Sequence, residues 1–552
     1  MDKFTQLAEL IFPDIKDTIA DLEARFPPRN LIASAEVTRF APSPTGYLHT
    51  GSLFTSLVTY SLAKATNGVF YLRLEDTDSK REVKGAGELL LEGLKNFNII
   101  PDEGYAGDGV DKGILGPYMQ SKRANIYKIV IKELIKRNLA YPCFCTPEDL
   151  EEIREVQEAS KQIPGYYGSF AKCRYLTPDE AMFLIKEGKP YVMRFRSHGN
   201  HNNKIRVHDE IRGDIDIAEN DIDVVILKSD GLPTYHFAHV VDDHFMGTTT
   251  VTRGEEWISS LPIHIEMFKA LNWEHPKYAH LPLINKLENG NKRKLSKRKD
   301  PEAAVTFFFE QGYPVEGVLV YLMSIANSNF EQWTLENKTF DISKFPFSIH
   351  KMSLDGALFD LNKLAYFSKE FLATLKADEM CKRAKEYANK YDAKLLELIK
   401  RDEIFFTKIM NIERDKPNPR KDYAKFSDIY EIIKFFYSDK YLDIVKKGYP
   451  FNSNIDKKII SEVLTDFMNT NDYSLDESNW FNSLKALGTK HGFASDKKEY
   501  KANKDKYLGS VSDVAEMLRI ALSGAKNSPN LYYILHILPI EEINKRIKLA
   551  IA

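Results

Sequence analysis

A strand, a helix and a second strand follow one another near the start of the chain, and this order constrains the fold more than any other sequence feature. Residues 37–40 have the pattern of a short buried strand, and the two prolines of residues 42–46 force a turn because they fix φ and remove backbone donors. Apolar residues then recur at helical spacing over residues 50–65, and residues 69–74 predict a second buried strand. Elements of this type and length form a βαβ unit, so the sequence predicts a parallel sheet.

The rest of the chain changes character twice. Residues 140–222 contain three of the four cysteines, and we interpret them as an inserted module. Sheet-like segments return at residues 223–227 and 248–252, whereas Lys- and Glu-rich amphipathic segments dominate from about residue 350. The predicted fold class is therefore multidomain α/β plus all-α. The predicted boundaries are an N-terminal extension over residues 1–34, two halves of a sheet domain over 35–139 and 223–300, the inserted module over 140–222, and helical regions over 301–375 and 376–552.

Composition excludes several classes of protein. With 552 residues, of which 43% are hydrophobic and 28% charged, the chain has the composition of a globular protein and not of a disordered one. The 77 basic and 79 acidic residues nearly balance, so any surface that binds a polyanion must be local. Four cysteines cannot form a disulfide framework and favour a reducing compartment. No segment has the length and apolarity of a membrane span or the order of a signal peptide, so we expect a cytoplasmic protein.

Two segments have the chemistry of a nucleotide site. The His-Thr-Gly-Ser sequence of residues 49–52 stands where the first predicted helix begins, and helix N-termini attract phosphates. Taken alone, this tetrapeptide favours a helix-capping turn, and only its position after a strand and before a helix shifts the interpretation toward a nucleotide site. Residues 292–299 place six cations in eight positions, which is typical either of a solvated surface loop or of a mobile loop that neutralises a reacting phosphate.

Charged residues also follow the predicted strands. Arg39 and Arg253 each stand at the end of a strand, where α/β folds place ligands, and a guanidinium binds a carboxylate with two parallel hydrogen bonds. Glu75, just past the second strand, could bind an ammonium group. A substrate with two acid groups and one amine would satisfy all three residues, although each alone also fits a surface salt bridge.

The cysteines of the inserted module have metal-ligand spacing. Cys143, Cys145 and Cys173 with Tyr175 form the pattern C-x-C-x27-C-x-Y, which favours a tetrahedral zinc site over half-buried thiols. A phenol is rarely a zinc ligand, and His198 or His201 is an alternative fourth ligand. The Asp-Asp-His sequence of residues 242–244 has a spacing that scatters side chains, so we interpret it as structural. The sequence contains neither a G-x-x-x-x-G-K-[ST] loop nor a compact G-x-G-x-x-G after a strand, which argues against a P-loop NTPase and a dinucleotide oxidoreductase.

Taken together, these segments resemble the class I aminoacyl-tRNA synthetases, and specifically the bacterial-type glutamyl-tRNA synthetases. The matching segments, in the family's order, are residues 39–46 (RFAPSPTG), 49–52 (HTGS), 72–78 (LRLEDTD), 233–236 (PTYH), 240–244 (VVDDH), 253–257 (RGEEW) and 294–298 (KLSKR), with fainter matches at 353–360 and 518–524. Three features depart from the pattern: Thr50 replaces the usual Ile, residues 53–57 (LFTSL) replace a stretch that commonly reads ARTAL, and the 34-residue N-terminal arm has no counterpart in the usual family start.

The resemblance implies a Rossmann-like catalytic domain with an inserted acceptor-stem module, followed by helical anticodon-binding bundles. It implies that the protein activates glutamate with ATP to glutamyl-adenylate and then transfers it to tRNA(Glu), as a cytoplasmic monomer with Mg²⁺ as the counter-ion of ATP and with structural Zn²⁺ in a subset of members. Whether tRNA(Gln) is also charged, and which arginine binds the side-chain carboxylate, stays open. The implied residues are His49, Gly51, Lys294 and Lys297 for catalysis; His49, Gly51, Ser52 and Lys297 for ATP; Arg39, Ser43, Glu75, Tyr235 and Arg253 for glutamate; and Cys143, Cys145, Cys173 and Tyr175 for zinc.

Three alternatives differ from this interpretation in recognisable features. A glutaminyl-tRNA synthetase would carry β-barrel anticodon domains, whereas residues 351–552 predict helices. A non-catalytic tRNA-binding paralogue would have lost part of the ATP machinery, yet all four predicted catalytic residues are present. A truncated enzyme that glutamylates a modified tRNA base would lack the helical tail.

Overall fold

A computed structural model gives the structure of the chain over residues 2–78, 83–296, 298–354 and 356–552. Its strands are β1 (Val37–Phe40), β2 (Val69–Leu72), β3 (Glu103–Gly107), β4 (Val110–Lys112), β5 (Ala140–Cys143), β6 (Val192–Phe195), β7 (Lys204–Asp209), β8 (Gly213–Ala218), β9 (Val225–Leu227), β10 (Thr250–Gly254), β11 (Lys277–Leu281), β12 (Ile284–Glu288), β13 (Asn291–Lys294), β14 (Ala357–Leu358), β15 (Phe493–Ala494) and β16 (Gly509–Ser510).

The α-helices complete the architecture. They are α1 (Lys3–Ile11), α2 (Ile19–Arg25), α3 (Thr50–Ala65), α4 (Ala86–Asn96), α5 (Ala124–Lys136), α6 (Pro147–Ala159), α7 (Pro178–Lys186), α8 (Tyr235–Phe245), α9 (Leu261–Leu271), α10 (Thr306–Gln311), α11 (Val315–Ala326), α12 (Phe330–Asn337), α13 (Leu361–Thr374), α14 (Ala377–Tyr391), α15 (Ala393–Arg401), α16 (Glu403–Met410), α17 (Asp428–Ile433), α18 (Ser438–Val445), α19 (Lys457–Thr470), α20 (Glu477–Lys490), α21 (Lys497–Ala502), α22 (Val511–Ser523), α23 (Leu531–Ile537) and α24 (Ile540–Ile551).

The chain divides into two compact units. The first comprises Met1–Phe307 and Leu319–Asp360, and the second comprises Phe308–Val318 and Leu361–Ala552. The first unit contains the longer parallel strands, whereas the second is built of helices with one parallel pair of two-residue strands in its described part. The predicted class, an α/β region followed by a helical region, is therefore confirmed. Among the described residues, no helix has the length and apolarity needed to cross a membrane.

A parallel sheet forms the centre of the first unit. β1 pairs with β2, β2 with β3, and β10 with β11, all in parallel. β1 also lies beside β10, because the Thr249 N–H donates to the Val37 carbonyl at 2.9 Å and the Arg39 guanidinium donates to the Thr252 carbonyl at 3.3 Å. The resulting spatial order is β3-β2-β1-β10-β11. The carboxyl ends of these strands share one edge, the position at which α/β sheets bind ligands.

The predicted strand over residues 248–252 is wrong in its bounds, since β10 begins and ends two residues later. The physical reason is that the residues before it use their side chains as anchors. The Thr248 hydroxyl bonds the Tyr71 hydroxyl at 2.7 Å, and the Thr249 hydroxyl accepts a hydrogen bond from the Val37 N–H at 2.8 Å. The alternation of residues in the sequence cannot distinguish a threonine inside a strand from a threonine just before the strand whose hydroxyl forms hydrogen bonds.

Strands between residues 140 and 222 belong to two different sheets. β5 and β6 pair antiparallel with each other, and β6 pairs with β9. β7 and β8 form an antiparallel hairpin, which joins the main sheet where Asp209 pairs with Tyr278 of β11. This hairpin therefore carries Asp209 to the last parallel strand. The predicted limits of the inserted module stay a prediction.

The N-terminal arm is part of the core of the first unit. Asp2 caps α1 and Thr18 forms a capping box with Asp21 at α2. The buried apolar side chains of the arm pack with those of α5 and α8; they are Leu7, Ala8, Phe12, Leu22 and Phe26. Lys132 of α5 is only 4% exposed and donates to the Phe12 carbonyl at 3.1 Å, the Ile15 carbonyl at 2.6 Å and Glu9 at 2.8 Å. A buried ammonium with three acceptors thus fastens the arm.

We expect Lys132→Met to loosen this arm. Methionine keeps the apolar stem but removes all three donated hydrogen bonds, and unsatisfied buried carbonyls cost about 1–3 kcal/mol each. The measurement is limited proteolysis between α1 and α2 together with the free energy of unfolding in urea. Lys128→Met, on the same helix, is the matched control and should change neither quantity. Equal protease resistance of Lys132→Met and wild type would contradict the anchoring role.

Candidate active site

A cleft of about 1310 Å³ opens at the carboxyl edge of the parallel strands. It brings together the substrate-binding residues that the sequence predicts and that the structure describes. They are Arg39, Ser43, His49, Gly51, Ser52, Glu75, Tyr235, Arg253 and Lys294. Lys297, the remaining predicted residue, lies outside the described residues. Positions as far apart in sequence as Arg39 and Lys294 therefore line one cleft.

His49 is the N-cap of α3. Its Nδ1 accepts the Ser52 backbone N–H at 3.1 Å, so in the neutral imidazole the proton must be on Nε2. The Nε2–H donates to the Ser52 hydroxyl at 2.9 Å. Capping therefore fixes both the tautomer and the orientation of the ring, which lines the cleft beside the N-terminus of α3.

Gly51 leaves space for the His49 ring beside the first turn of α3. A Cβ at this position would lie 3.2 Å from His49 Nδ1, which is closer than side chains ordinarily pack. Any side chain here would crowd the imidazole and occupy the cleft that Gly51 lines. The two predicted residues are thus coupled, since the glycine makes room for the ring that caps the helix.

The cationic segment continues a β-hairpin. β12 and β13 pair antiparallel around a turn in which Asn289 and Gly290 both have positive φ, at 51° and 82°. The structure separates the roles of the cations that the sequence groups together. Arg293 donates to both oxygens of Asp300, at 2.6 and 2.8 Å, whereas the Lys294 side chain is 62% exposed and lines the cleft.

Asp300 is a residue that sequence reasoning missed. Asp300 is 3% exposed and also accepts the Ser296 N–H at 2.9 Å, and the Arg293 guanidinium holds its pKa well below its usual range.

The chain that follows Asp300 is also bonded to the first turn of α3, because the Thr50 hydroxyl donates to the Glu302 carbonyl at 2.6 Å. These contacts bring Lys294 and the His49 helix cap to the same cleft. A single acid after a run of bases gives no sequence signal for such a role.

Arg39 already has a counter-ion. Its Nε donates to both oxygens of Asp243 at 3.2 Å, and Arg73 donates to the same carboxylate at 2.7 Å. Asp242 accepts the Arg123 Nε–H at 2.6 Å. Burial alone would raise the pKa of Asp243, but Arg39, Arg73 and His239 together hold it well below its usual range. The structural interpretation of these two aspartates is confirmed, because they neutralise buried arginines.

Arg253 has a different environment. Its guanidinium lies 5.0 Å from the Tyr278 ring centroid and donates to the His280 ring and the Trp257 carbonyl. Tyr235 packs against Trp257 with ring centroids 4.4 Å apart. Glu75 accepts a hydrogen bond from Arg73 at 3.1 Å, and burial raises its pKa. The cleft wall therefore combines Arg39, whose charge is neutralised by Asp243, with Arg253, which is held by neutral groups, and with the buried acid Glu75.

The three cysteine thiols form one cluster. The Sγ atoms of Cys143, Cys145 and Cys173 lie within 4.8 Å of one another, and the Phe144 N–H donates to Cys173 Sγ at 3.3 Å. The hydrogen bond from Cys173 lowers the pKa of Cys143 to about 4, which favours the thiolate form that binds metals.

The fourth side chain at this cluster is not the predicted one. Tyr175 is 66% exposed and its hydroxyl donates to the Gly168 carbonyl, whereas the Tyr166 hydroxyl lies 3.2 Å from Cys145 Sγ. His201 instead bonds Asp221 at 2.5 Å. Tyr166 is absent from the C-x-C and C-x-Y pattern, so spacing could not find it. The structure brings together the three predicted cysteines and does not bring Tyr175 to them.

Family models match most of the chain. Residues 36–350 match the model described as tRNA synthetases class I (E and Q), catalytic domain. Residues 502–551 match the model described as an anticodon binding domain.

Known proteins align with almost the full length. The glutamate–tRNA ligase of Clostridium perfringens strain 13 is 43% identical over 544 residues, which cover 99% of this chain and 100% of that protein. The glutamate–tRNA ligase of Acetivibrio thermocellus is 44% identical over 546 residues, 99% of each chain. The crystal structure of a glutamate–tRNA synthetase from Elizabethkingia anophelis is similar with a TM-score of 0.71 and 28% identity, over 94% of this chain and 99% of that one.

These alignments include the N-terminal arm. An alignment that covers 99% of 552 residues cannot omit a 34-residue arm. The family model begins at residue 36, after the arm, but these relatives carry a counterpart of the arm, and its buried contacts with α5 explain why such an arm would be kept.

Proposed function

Because this chain belongs to the class I tRNA synthetases of the E and Q group, we propose that it ligates L-glutamate to tRNA(Glu) with ATP, through a glutamyl-adenylate, and releases AMP and pyrophosphate. The observation that carries the proposal is the cleft, in which a capped helix N-terminus, a lysine from a cationic hairpin and two arginines meet. The full-length likeness to glutamate–tRNA ligases supports the choice of amino acid.

Positioning and charge stabilisation account for the first step. A carboxylate oxygen of glutamate attacks the α-phosphorus of ATP, and the bond to the bridging oxygen breaks with the pyrophosphate as leaving group. His49 and the N-terminus of α3 bind the phosphates, Gly51 admits the adenosine, and Lys294 and Lys297 stabilise the charge on the leaving pyrophosphate. Mg²⁺ accompanies ATP as the phosphate counter-ion. None of these side chains forms a covalent bond with the substrate.

The second step uses the same cleft. A hydroxyl of the terminal ribose of the tRNA attacks the acyl carbon of glutamyl-adenylate, and AMP leaves. Arg39, Ser43, Glu75, Tyr235 and Arg253 hold the glutamate in place during both steps, so that the acyl carbon stays aligned.

The likeness of residues 502–551 to an anticodon binding domain supports tRNA as the second substrate. We assign acceptor-stem contacts to the inserted module and anticodon contacts to the helices of the second unit. A groove of about 600 Å³ in that unit is lined by both basic and acidic side chains; the basic ones are Arg420, Lys434, Lys440 and Lys447, and the acidic ones are Asp422, Glu431 and Asp443. A cytoplasmic monomer fits this function.

One comparison tests the function. Purified protein is incubated with tRNA(Glu) or tRNA(Gln), ATP and radiolabelled glutamate or glutamine, and the charged tRNA is counted. We expect glutamate on tRNA(Glu) and no glutamine on either tRNA. Glutamate on tRNA(Gln) would add a second substrate, whereas glutamine on tRNA(Gln) alone, or no charging at all, would overturn the proposal.

The cysteine cluster fits a structural zinc ion. Three thiols lie within 4.8 Å of one another, so the cluster supplies three of the four soft ligands that a tetrahedral structural zinc ion takes. Zinc there would hold the β5 end and the turn at Cys173 together. The ion would take no part in the chemistry at the cleft.

We therefore expect the protein purified without chelator to contain about one equivalent of zinc. Cys173→Ser removes one thiolate ligand and should lose most of this zinc and lower the melting temperature, because metal binding stabilises the folded site. Elemental analysis and thermal unfolding give both quantities. Cys381→Ser is the control, since Cys381 contacts Thr407 and lies outside the cluster, and should keep the zinc. A zinc-free wild type would contradict the site.

A further inference from the structure

The guanidinium of Arg253 is held by neutral groups. Arg39, Arg73 and Arg123 each pair with Asp242 or Asp243. Within the described residues, the groups that bond Arg253 are His280 Nε2 at 3.0 Å from its Nε, His264 Nδ1 at 3.2 Å, the Tyr235 hydroxyl at 3.4 Å and the Trp257 carbonyl at 3.3 Å. A buried charge without a counter-ion is costly, and a ligand anion would remove that cost.

The contact with His280 fixes which ring nitrogen carries its proton. Arg253 Nε can only donate, so His280 Nε2 must accept, and the proton of the neutral ring is on Nδ1. That Nδ1–H donates to Asp209 Oδ2 at 2.6 Å. Burial lowers the pKa of His280, which keeps the ring neutral at physiological pH. If His280 were protonated, its Nε2 would also carry a proton, and two N–H donors, one from each side chain, would then face each other.

Asp209 is itself held rigidly. Its Oδ1 accepts the backbone N–H groups of Ile211 and Arg212, at 3.0 and 2.9 Å, in the turn between β7 and β8. Its Oδ2 accepts both the backbone N–H and the ring N–H of His280, at 3.0 and 2.6 Å. Burial would raise the pKa of Asp209, but these hydrogen bonds bring it below its ordinary value. The carboxylate is therefore ionised and has one orientation.

A second histidine supports the same arrangement. His264 Nδ1 accepts from Arg253, so its proton is on Nε2, which donates to His236 Nδ1 at 3.0 Å. Burial lowers the pKa of His264 well below its usual range. Arg253 is thus oriented from two sides by rings that accept hydrogen bonds and carry no charge.

We propose that Asp209 and His280 are positioning residues for the amino-acid substrate, which hold the Arg253 guanidinium in place for a glutamate carboxylate without neutralising its charge. A carboxylate in the place of His280 would orient Arg253 equally well, but it would compete with the substrate for the positive charge. The proposal rests on the proposed function, and it extends the amino-acid site to β7 and β11, whose residues Asp209 and His280 do not line the cleft.

The test compares three variants by ATP–pyrophosphate exchange with tRNA present. His280→Phe keeps the ring packed beside Tyr278 but removes both nitrogens. His280→Gln keeps an acceptor that can reach Arg253. Asp209→Asn keeps Oδ1 for the turn, but its NH₂ group can donate to His280 Nδ1 and so favours the wrong tautomer. His208→Phe, on the exposed side of β7, is the control.

We expect His280→Phe and Asp209→Asn to raise the KM for glutamate about tenfold or more, as when one hydrogen bond that orients a charged group is lost. The KM for ATP should stay within about twofold of wild type, and His280→Gln should recover most of the glutamate KM. A fall in kcat and melting temperature with unchanged glutamate KM would mean a merely structural role and would overturn the proposal. So would a His280→Gln variant no better than His280→Phe. A wild type that does not activate glutamate would instead overturn the proposed function itself.

Discussion

His49→Asn lowers ATP–pyrophosphate exchange by about 10²–10³-fold while the protein stays folded, since loss of one preorganised donor to a reacting group has this effect. Asparagine is among the best N-caps, so its side-chain oxygen can accept the Ser52 N–H in place of His49 Nδ1. It cannot supply the Nε2–H, which lies further from the backbone. The variant therefore separates the capping role of His49 from the proposed role as a donor to ATP.

The measurement is the exchange rate at saturating glutamate and tRNA, together with the melting temperature. His275→Asn, on an exposed histidine before β11, is the matched control and should leave both unchanged. An exchange rate of His49→Asn within about threefold of wild type would mean that the ring only caps α3.

Asp243→Ala destabilises the first unit by about 3–5 kcal/mol, the usual effect of removing one partner of a buried ion pair. The change leaves Arg39 and Arg73 without the carboxylate that both contact, and leaves His239 without its 2.8 Å partner. Urea denaturation measures the loss. Asp216→Ala, which breaks the exposed pair with Arg206 in the β7–β8 hairpin, should lower the free energy of unfolding far less, because water screens this pair. Similar losses in the two variants would contradict the internal role of Asp243.

This stabilisation also has a defined pH dependence. The pKa of Asp243 is lower in the folded protein than in the unfolded chain, so its contribution is fully present above the unfolded value of about 4 and is lost as the pH falls below it. The difference in unfolding free energy between wild type and Asp243→Ala should therefore shrink in acid. A difference that stays constant down to pH 3 would mean that the carboxylate contributes by packing and not by charge.

The sequence predicted the parts of the fold that depend on local order. The alternation of β1, α3 and β2 is visible as periodicity and turn residues over fewer than 40 positions. The position of a few cleft residues was also predictable, because carboxyl ends of parallel strands share one edge. Arg39 and Arg253 were expected there for this reason, and both line the cleft.

The partners of these residues were not predictable in the same way. Arg39 and Asp243 are 204 positions apart, and Asp209 and His280 are 71 apart, so neither pair has a spacing that a pattern could detect. Whether an arginine is neutralised or held by neutral rings depends on which strands become neighbours. The same is true of Tyr166, which reaches Cys145 only because the chain folds back at that point.

The anchored N-terminal arm limits how far this protein can be trimmed. The catalytic family model begins at residue 36, yet Leu7, Leu22 and Phe26 are buried against α5 and α8. A fragment cut at that position would expose an apolar surface on α5 and leave the Lys132 ammonium facing no carbonyl. The smallest catalytic fragment that stays monodisperse in solution should therefore begin no later than Asp2, the N-cap of α1, and not at the edge of the family model.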